Sequence, residues 1–103
     1  MARIIKISKE EAYRRLGDVP DEKRFWCHDG RFVKSLKELA KALNDMSDET
    51  FHYHSGEERN DFSNWVRDVV GDDKLARDLG KAKSRVQASQ AMAERISFLQ
   101  RKI

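Results

Sequence analysis

Apolar positions recur with a helical period at several places along the chain. Leu36, Leu39, Ala40 and Leu43 fall at i, i+3, i+4 and i+7 behind Ser35-Leu36-Lys37-Glu38, a capping-box pattern, and predict a helix over 35–44. Phe62, Trp65, Val66, Val69 and Val70 share a face behind Asn60, an N-cap type, and predict a helix over 61–70 that Gly71 ends. Leu75, Ala76 and Leu79 predict a short helix over 73–80 that stops at Gly80. Ala88, Met92, Ile96, Leu99 and Ile103 predict a long amphipathic helix over 84–102. Near the start, Ser8-Lys9-Glu10-Glu11 reads as a second capping box, and Ala12, Tyr13 and Leu16 line a short helix that a left-handed Gly17 would end.

Other stretches carry the period of strands. Arg24–His28 and Arg31–Val33 flank Asp29-Gly30, a pair suited to positive φ, and predict an antiparallel hairpin within 24–34. Thr50-Phe51-His52-Tyr53-His54 alternates, with Phe51 and Tyr53 on one side, and predicts a third strand over 50–54. Arg3–Ile7 is β-branched and predicts a short edge strand. The expected fold class is therefore α+β: a small antiparallel sheet packed on one side by helices, since an isolated hairpin does not hold itself together in water. Residues 1–20 form an N-terminal strand and helix extension of a single domain spanning 1–103, and residues 81–103 its basic C-terminal part.

Composition narrows the functional classes. The 103 residues suffice for one core, and no apolar run reaches the length of a membrane span, so a cytoplasmic protein with no membrane association is expected. Cys27 is the only cysteine, which excludes an internal disulfide. The five glycines stand singly, so no phosphate-cradling loop is present and no cofactor is expected. Charge is uneven: residues 1–73 hold 13 Lys/Arg against 16 Asp/Glu, and residues 74–103 hold 8 against 2. Lys81, Lys83 and Arg85, with Arg95, Arg101 and Lys102 further on, make the C-terminal helix a candidate for sequence-independent contact with nucleic acid, against the plainer reading of a solvated helix face.

Cys27, His28, His52 and His54 are metal-ligand and nucleophile types on two expected strands. A closed zinc site would need a bulge to bring Cys27 and His28 to one side, and a Cys/His nucleophile pair lacks an orienting third group, so neither a metal site nor a catalytic residue is expected. The helix pair 61–70 and 73–80 has too mixed a charge for a groove reader. The expected function is a non-enzymatic protein-interaction module whose surface comprises His52, His54, Glu57, Glu58, Arg59, Asn60 and Asp61. The nucleic-acid reading through Lys81, Lys83 and Arg85 is the alternative, and a metal-binding or thiol-dependent protein comes third. The seam of Met92, Ile96, Leu99 and Ile103 also admits a homodimer through the C-terminal helix.

From Arg24 to about Leu79 the chain resembles a small uncharacterised domain family of archaeal and bacterial proteins. The resemblance is carried by Phe25-Trp26-Cys27, Asp29-Gly30, Thr50-Phe51-His52-Tyr53-His54, and Asn60-Asp61-Phe62-Ser63-Asn64-Trp65-Val66-Arg67-Asp68-Val69-Val70-Gly71-Asp72. It implies a recurring compact module and no particular activity.

Overall fold

The computed structural model describes residues 6–56 and 58–103. Among these residues six α-helices and one two-stranded hairpin follow in the order α1 (Lys9–Leu16), β1 (Phe25–Trp26), β2 (Phe32–Val33), α2 (Leu36–Asp45), α3 (Asp48–His54), α4 (Asp61–Trp65), α5 (Asp73–Lys81) and α6 (Arg85–Gln100). A 3-10 turn, Asp21–Lys23, precedes β1, and a π-helical turn, Val66–Val70, continues α4. The expected α+β class holds, with helix predominating and a long C-terminal helix. Among the described residues, no helix is long and apolar enough to cross a membrane.

The helix starts follow from local chemistry. At α1, α2, α3, α4, α5 and α6 the side chains of Ser8, Ser35, Ser47, Asn60, Asp72 and Ser84 each accept the N–H three residues on, satisfying a donor that has no partner inside the helix. At both expected capping boxes the return bond goes elsewhere: Glu38 accepts from the Lys34 N–H, and Glu11 accepts from Arg14 and Arg15.

The expected strand over 50–54 is a helix. Ser47 caps it, Asp48 and Glu49 favour its first turn, and Thr50, Phe51 and His54 are buried at helical spacing. Phe51 is 2% exposed and Tyr53 is 49% exposed, so the two do not share a face as strand alternation requires. The sheet therefore has two strands, pairing Phe25 with Val33 and Trp26 with Phe32. Its turn is also not the two-residue kind: Gly30 N–H donates to Cys27 O and Cys27 N–H to Arg31 O, so His28, Asp29 and Gly30 form a three-residue loop in which Gly30 alone has positive φ (98°). Most of the expected strand over 3–7 lies outside the described residues; Lys6 and Ile7 are not in a strand.

Two glycines act differently from expectation. Gly17 ends α1 with an extended φ of −78°, and Gly80 sits inside α5, against the Ser63 side chain. Gly71 does take the left-handed conformation, at φ 83°. The π turn explains why one is needed: Val66 O accepts from both Gly71 N–H and Asp72 N–H, closing wide rings, and the left-handed residue then turns the chain sharply into α5.

That turn delivers Asp72 into the interior, where its residue is fully buried. Oδ1 accepts the Leu75 N–H, and Oδ2 accepts from Arg15 Nη1 at 3.1 Å and Arg95 Nε at 2.9 Å. Burial alone would push this carboxyl up, but hydrogen bonds from Arg95, the Leu75 N–H and Arg15 outweigh it and hold it below the ordinary carboxylate range. The network joins α1, α5 and α6. α6 packs against α1, α2 and α5, burying Ala88, Met92 and Leu99, so Met92 and Leu99 of the seam lie in the protein's own core, while Ile96 is half-buried and Ile103 exposed.

Acid should loosen this arrangement. Hydrogen bonds from Arg14 and then Arg15 hold the Glu11 carboxyl down to about 2, and Asp72 is shifted in the same direction. Groups whose pKa falls on folding stabilise the folded state above their unfolded value, and that share is lost as pH falls through the folded one. Urea midpoints are expected to decline from about pH 4.5 toward pH 2, and Glu11→Gln should flatten its own part of the decline.

Candidate interaction face

The hairpin has two unlike sides. Phe25 and Val33 point into the core, where Phe25 meets Phe62 and Trp65, while Trp26 and Phe32 face outward at 47% and 55% exposure. Arg24 extends over the outer Phe32 ring, its guanidinium 4.6 Å from the centroid. Next to them the C-terminal end of α3 brings Tyr53, which stacks on His28 with centroids 3.9 Å apart and planes 13° from parallel. Trp26 lies beside both rings with its plane steeply inclined to theirs, at 84° to His28 and 75° to Tyr53. Three large aromatics and a histidine thus form a contiguous outward surface where a monomer usually places polar groups.

His54 holds this surface to the core. It is buried among Phe25, Trp26 and Phe62, and its Nε2 accepts the His28 backbone N–H at 2.9 Å. An accepting Nε2 leaves the proton on Nδ1, which donates to Asp61 Oδ2 at 3.0 Å. His54 is therefore a brace between the hairpin turn, α3 and α4, and both ring nitrogens are spent. Asp61 also receives Arg59 Nε at 3.0 Å through its other oxygen. The bridge between Ser55 and Asn60, with Gly56 N–H donating to Arg59 O, closes the loop between α3 and α4.

The residues expected to form an interaction surface thus divide. His52, Glu58 and Arg59 are exposed, Asn60 and Asp61 are half-buried in the loop's own bonding, His54 is buried, and Glu57 lies outside the described residues. Cys27 is buried, and burial first of all pushes its thiol pKa up, which disfavours the thiolate. Among the described residues, no three His, Cys, Asp or Glu side chains are placed to hold a metal ion. His28 and His54 are neighbours, but His52 projects elsewhere on the face of α3.

The basic candidates divide as well. Arg85 donates to Leu43 O and Asn44 O, capping the end of α2, and pairs with Asp48 at 3.1 Å. Arg95 spends its Nε on Asp72 and is nine-tenths buried, and Lys102 lies over the Phe98 ring. Lys81 and Lys83 remain exposed and form no ion pair among the described residues. Both lie in the connection between two ties: Asn60 Nδ2 to Leu79 O near the end of α3, and Arg85 to Asp48 at its start. The two sequence candidates, the α3–α4 loop and the start of the basic segment, are in this way held next to each other.

The chain matches no protein-family model, no curated protein and no solved structure. The functional reading therefore rests on the geometry of this face. Trp26, Phe32 and Tyr53 are the members that sequence reasoning missed, and His28 was singled out only as a metal-ligand type. The hairpin register carried the signal for the first two, because a core-facing Phe25 opposite Val33 forces Trp26 and Phe32 outward. Tyr53 was hidden by the strand assignment of α3.

Proposed function

We propose that this protein is a non-enzymatic interaction module that binds a protein partner through the aromatic face of Trp26, His28, Phe32 and Tyr53. The contiguous exposure of those rings carries the reading. Trp, Tyr and Arg dominate the energetics of protein interfaces, and His54 pre-positions the rings so that little ordering is left for binding.

Charge around the face favours a protein over a polyanion. Arg59 is neutralised by Asp61 and Arg85 by Asp48, Arg24 covers Phe32, and Glu58 is exposed among them. A phosphate backbone would meet Arg24, Lys81 and Lys83 without an ion pair among the described residues, set among the carboxylates of Asp48, Glu58 and Asp61. The matching occupant presents apolar side chains to the rings and mixed charge at its rim.

The test places a photo-crosslinking phenylalanine analogue at position 32 or 53 in cells of the source organism, with position 86, an exposed site on α6, as control. A protein adduct of discrete mass from 32 and 53, absent from 86, is the expected result. With the partner identified, Trp26→Ala should weaken it about tenfold or more without changing the melting temperature appreciably. A nuclease-sensitive adduct would overturn the protein reading in favour of nucleic acid, and an adduct of twice the chain mass would reassign the face to self-association.

A further inference from the structure

A cleft of about 720 Å³ opens between α5, α6, α1 and the residues just before α1, and its lining includes Ile7, Arg15, Arg77, Ala91, Arg95 and Phe98 and none of the aromatic-face residues. Its size falls within the range of small-molecule sites. We infer that this cleft binds a small molecule carrying one oxyanion group, a carboxylate or a phosphate, joined to an apolar or aromatic body.

Arg95 supplies the recognition. It is only 9% exposed, Asp72 fixes its Nε, and the guanidinium lies 4.8 Å over the Phe98 ring. Among the described residues Nη1 and Nη2 have no hydrogen-bond partner and no buried side-chain nitrogen is left without one, so this end of the guanidinium, on the lining, opens onto the cleft. A planar fork fixed at Nε by Asp72 and covered on one face by Phe98 matches two oxygens of a carboxylate or phosphate and gives up little freedom on binding. Of the other cations on the lining, Arg15 is paired with Asp72 and Glu11 and Lys74 with Asp78, while Arg77 has no ion pair among the described residues.

The balance of charge limits the size of the anion. Asp72 is shared by two guanidiniums, and Glu11 by Arg14 and Arg15, so this cluster holds three cations against two carboxylates. Asp73 and Glu94, also on the lining, oppose a ligand of high negative charge. Phe98, Ala91 and Ile7 give the apolar body its contact. A single oxyanion on an aromatic ring satisfies all three conditions.

The experiment is a 1H–15N NMR titration of the whole chain, followed at the arginine side-chain Nε–H resonances, with benzoate, phenyl phosphate, inorganic phosphate and a polyphosphate, each against chloride at equal ionic strength. Saturable shifts at Arg95 Nε–H and the Phe98 amide are expected from benzoate or phenyl phosphate, stronger than from inorganic phosphate or polyphosphate. The stronger of the first two distinguishes carboxylate from phosphate. Arg95→Lys, which keeps the charge but removes the fork, should weaken binding about tenfold, and Arg77→Gln about threefold. Should Arg95→Lys fail to fold, Phe98→Leu tests the same contact and should also weaken binding. No shift at Arg95 with any probe, shifts that chloride reproduces, or binding unchanged in Arg77→Gln and Phe98→Leu would each overturn the assignment.

Discussion

Asp72→Ala is expected to lower the free energy of unfolding by about 3–5 kcal/mol, measured by urea denaturation at neutral pH. The carboxylate is fully buried and is the shared acceptor of Arg15 and Arg95, so its removal strands an arginine that is itself nine-tenths buried. It also removes the cap of α5. Asp72→Asn keeps the volume and an oxygen for the Leu75 N–H, and should therefore recover about 1 kcal/mol, the usual value of a cap. Equal losses in the two variants would show that the cap contributes nothing and that charge alone decides. A loss below 1 kcal/mol in Asp72→Ala would show that water reaches the guanidiniums and that the network is not a structural centre.

His54→Ala should cost about 3–4 kcal/mol, from a cavity among Phe25, Trp26 and Phe62 together with two broken hydrogen bonds. The bonds can be separated. A glutamine can place an oxygen near the old Nε2 and receive the His28 N–H, whereas an asparagine can place an amide near the old Nδ1 and donate to Asp61. Each is expected to regain about 1 kcal/mol relative to alanine. His54→Gln should in addition preserve the stacking of His28 on Tyr53, read from the ring-current shifts of their protons. Loss of that stacking in His54→Asn with retention in His54→Gln is the pattern that a brace for the aromatic face requires.

The helices were legible in the sequence because their caps and their apolar spacing agree. At α2, Ser35 and the leucines point to one answer, and Asn60 and Asp61 did the same for α4. Helix α3 was misread because Phe51, His52, Tyr53 and His54 alternate in type behind Thr50, while the burial they adopt follows the helical period. The sign of a helix lay just outside that window, in Ser47-Asp48-Glu49. The π turn left no trace in residue type, since Val66, Val69 and Val70 suit an ordinary helix equally well.

The candidate site was legible only as a neighbourhood. Sequence pointed to the loop after His54, yet Asn60 and Asp61 secure that loop and His54 secures the rings beside it. Much of the segment 60–72 that stands out in the sequence performs structural tasks: Asn60 caps α4, Ser63 Oγ bonds to Ala76 O, Trp65 Nε1 bonds to Lys23 O, and Asp72 joins three helices. Contacts between residues as distant as Arg15 and Asp72 have no local pattern to betray them. The clusters that share a residue type, such as Cys27 with the histidines, were visible and did not assemble as a set.

The two tryptophans occupy opposite surroundings, Trp26 on the outer hairpin face and Trp65 enclosed with its indole N–H bonded to Lys23 O. The molecule therefore contains its own pair of optical probes. Iodide should quench the red-shifted emission of Trp26 and leave the blue-shifted emission of Trp65 almost untouched until the chain unfolds. A partner seated on the rings would shield the first signal without disturbing the second, so docking and denaturation can be followed separately in one cuvette, with no label attached.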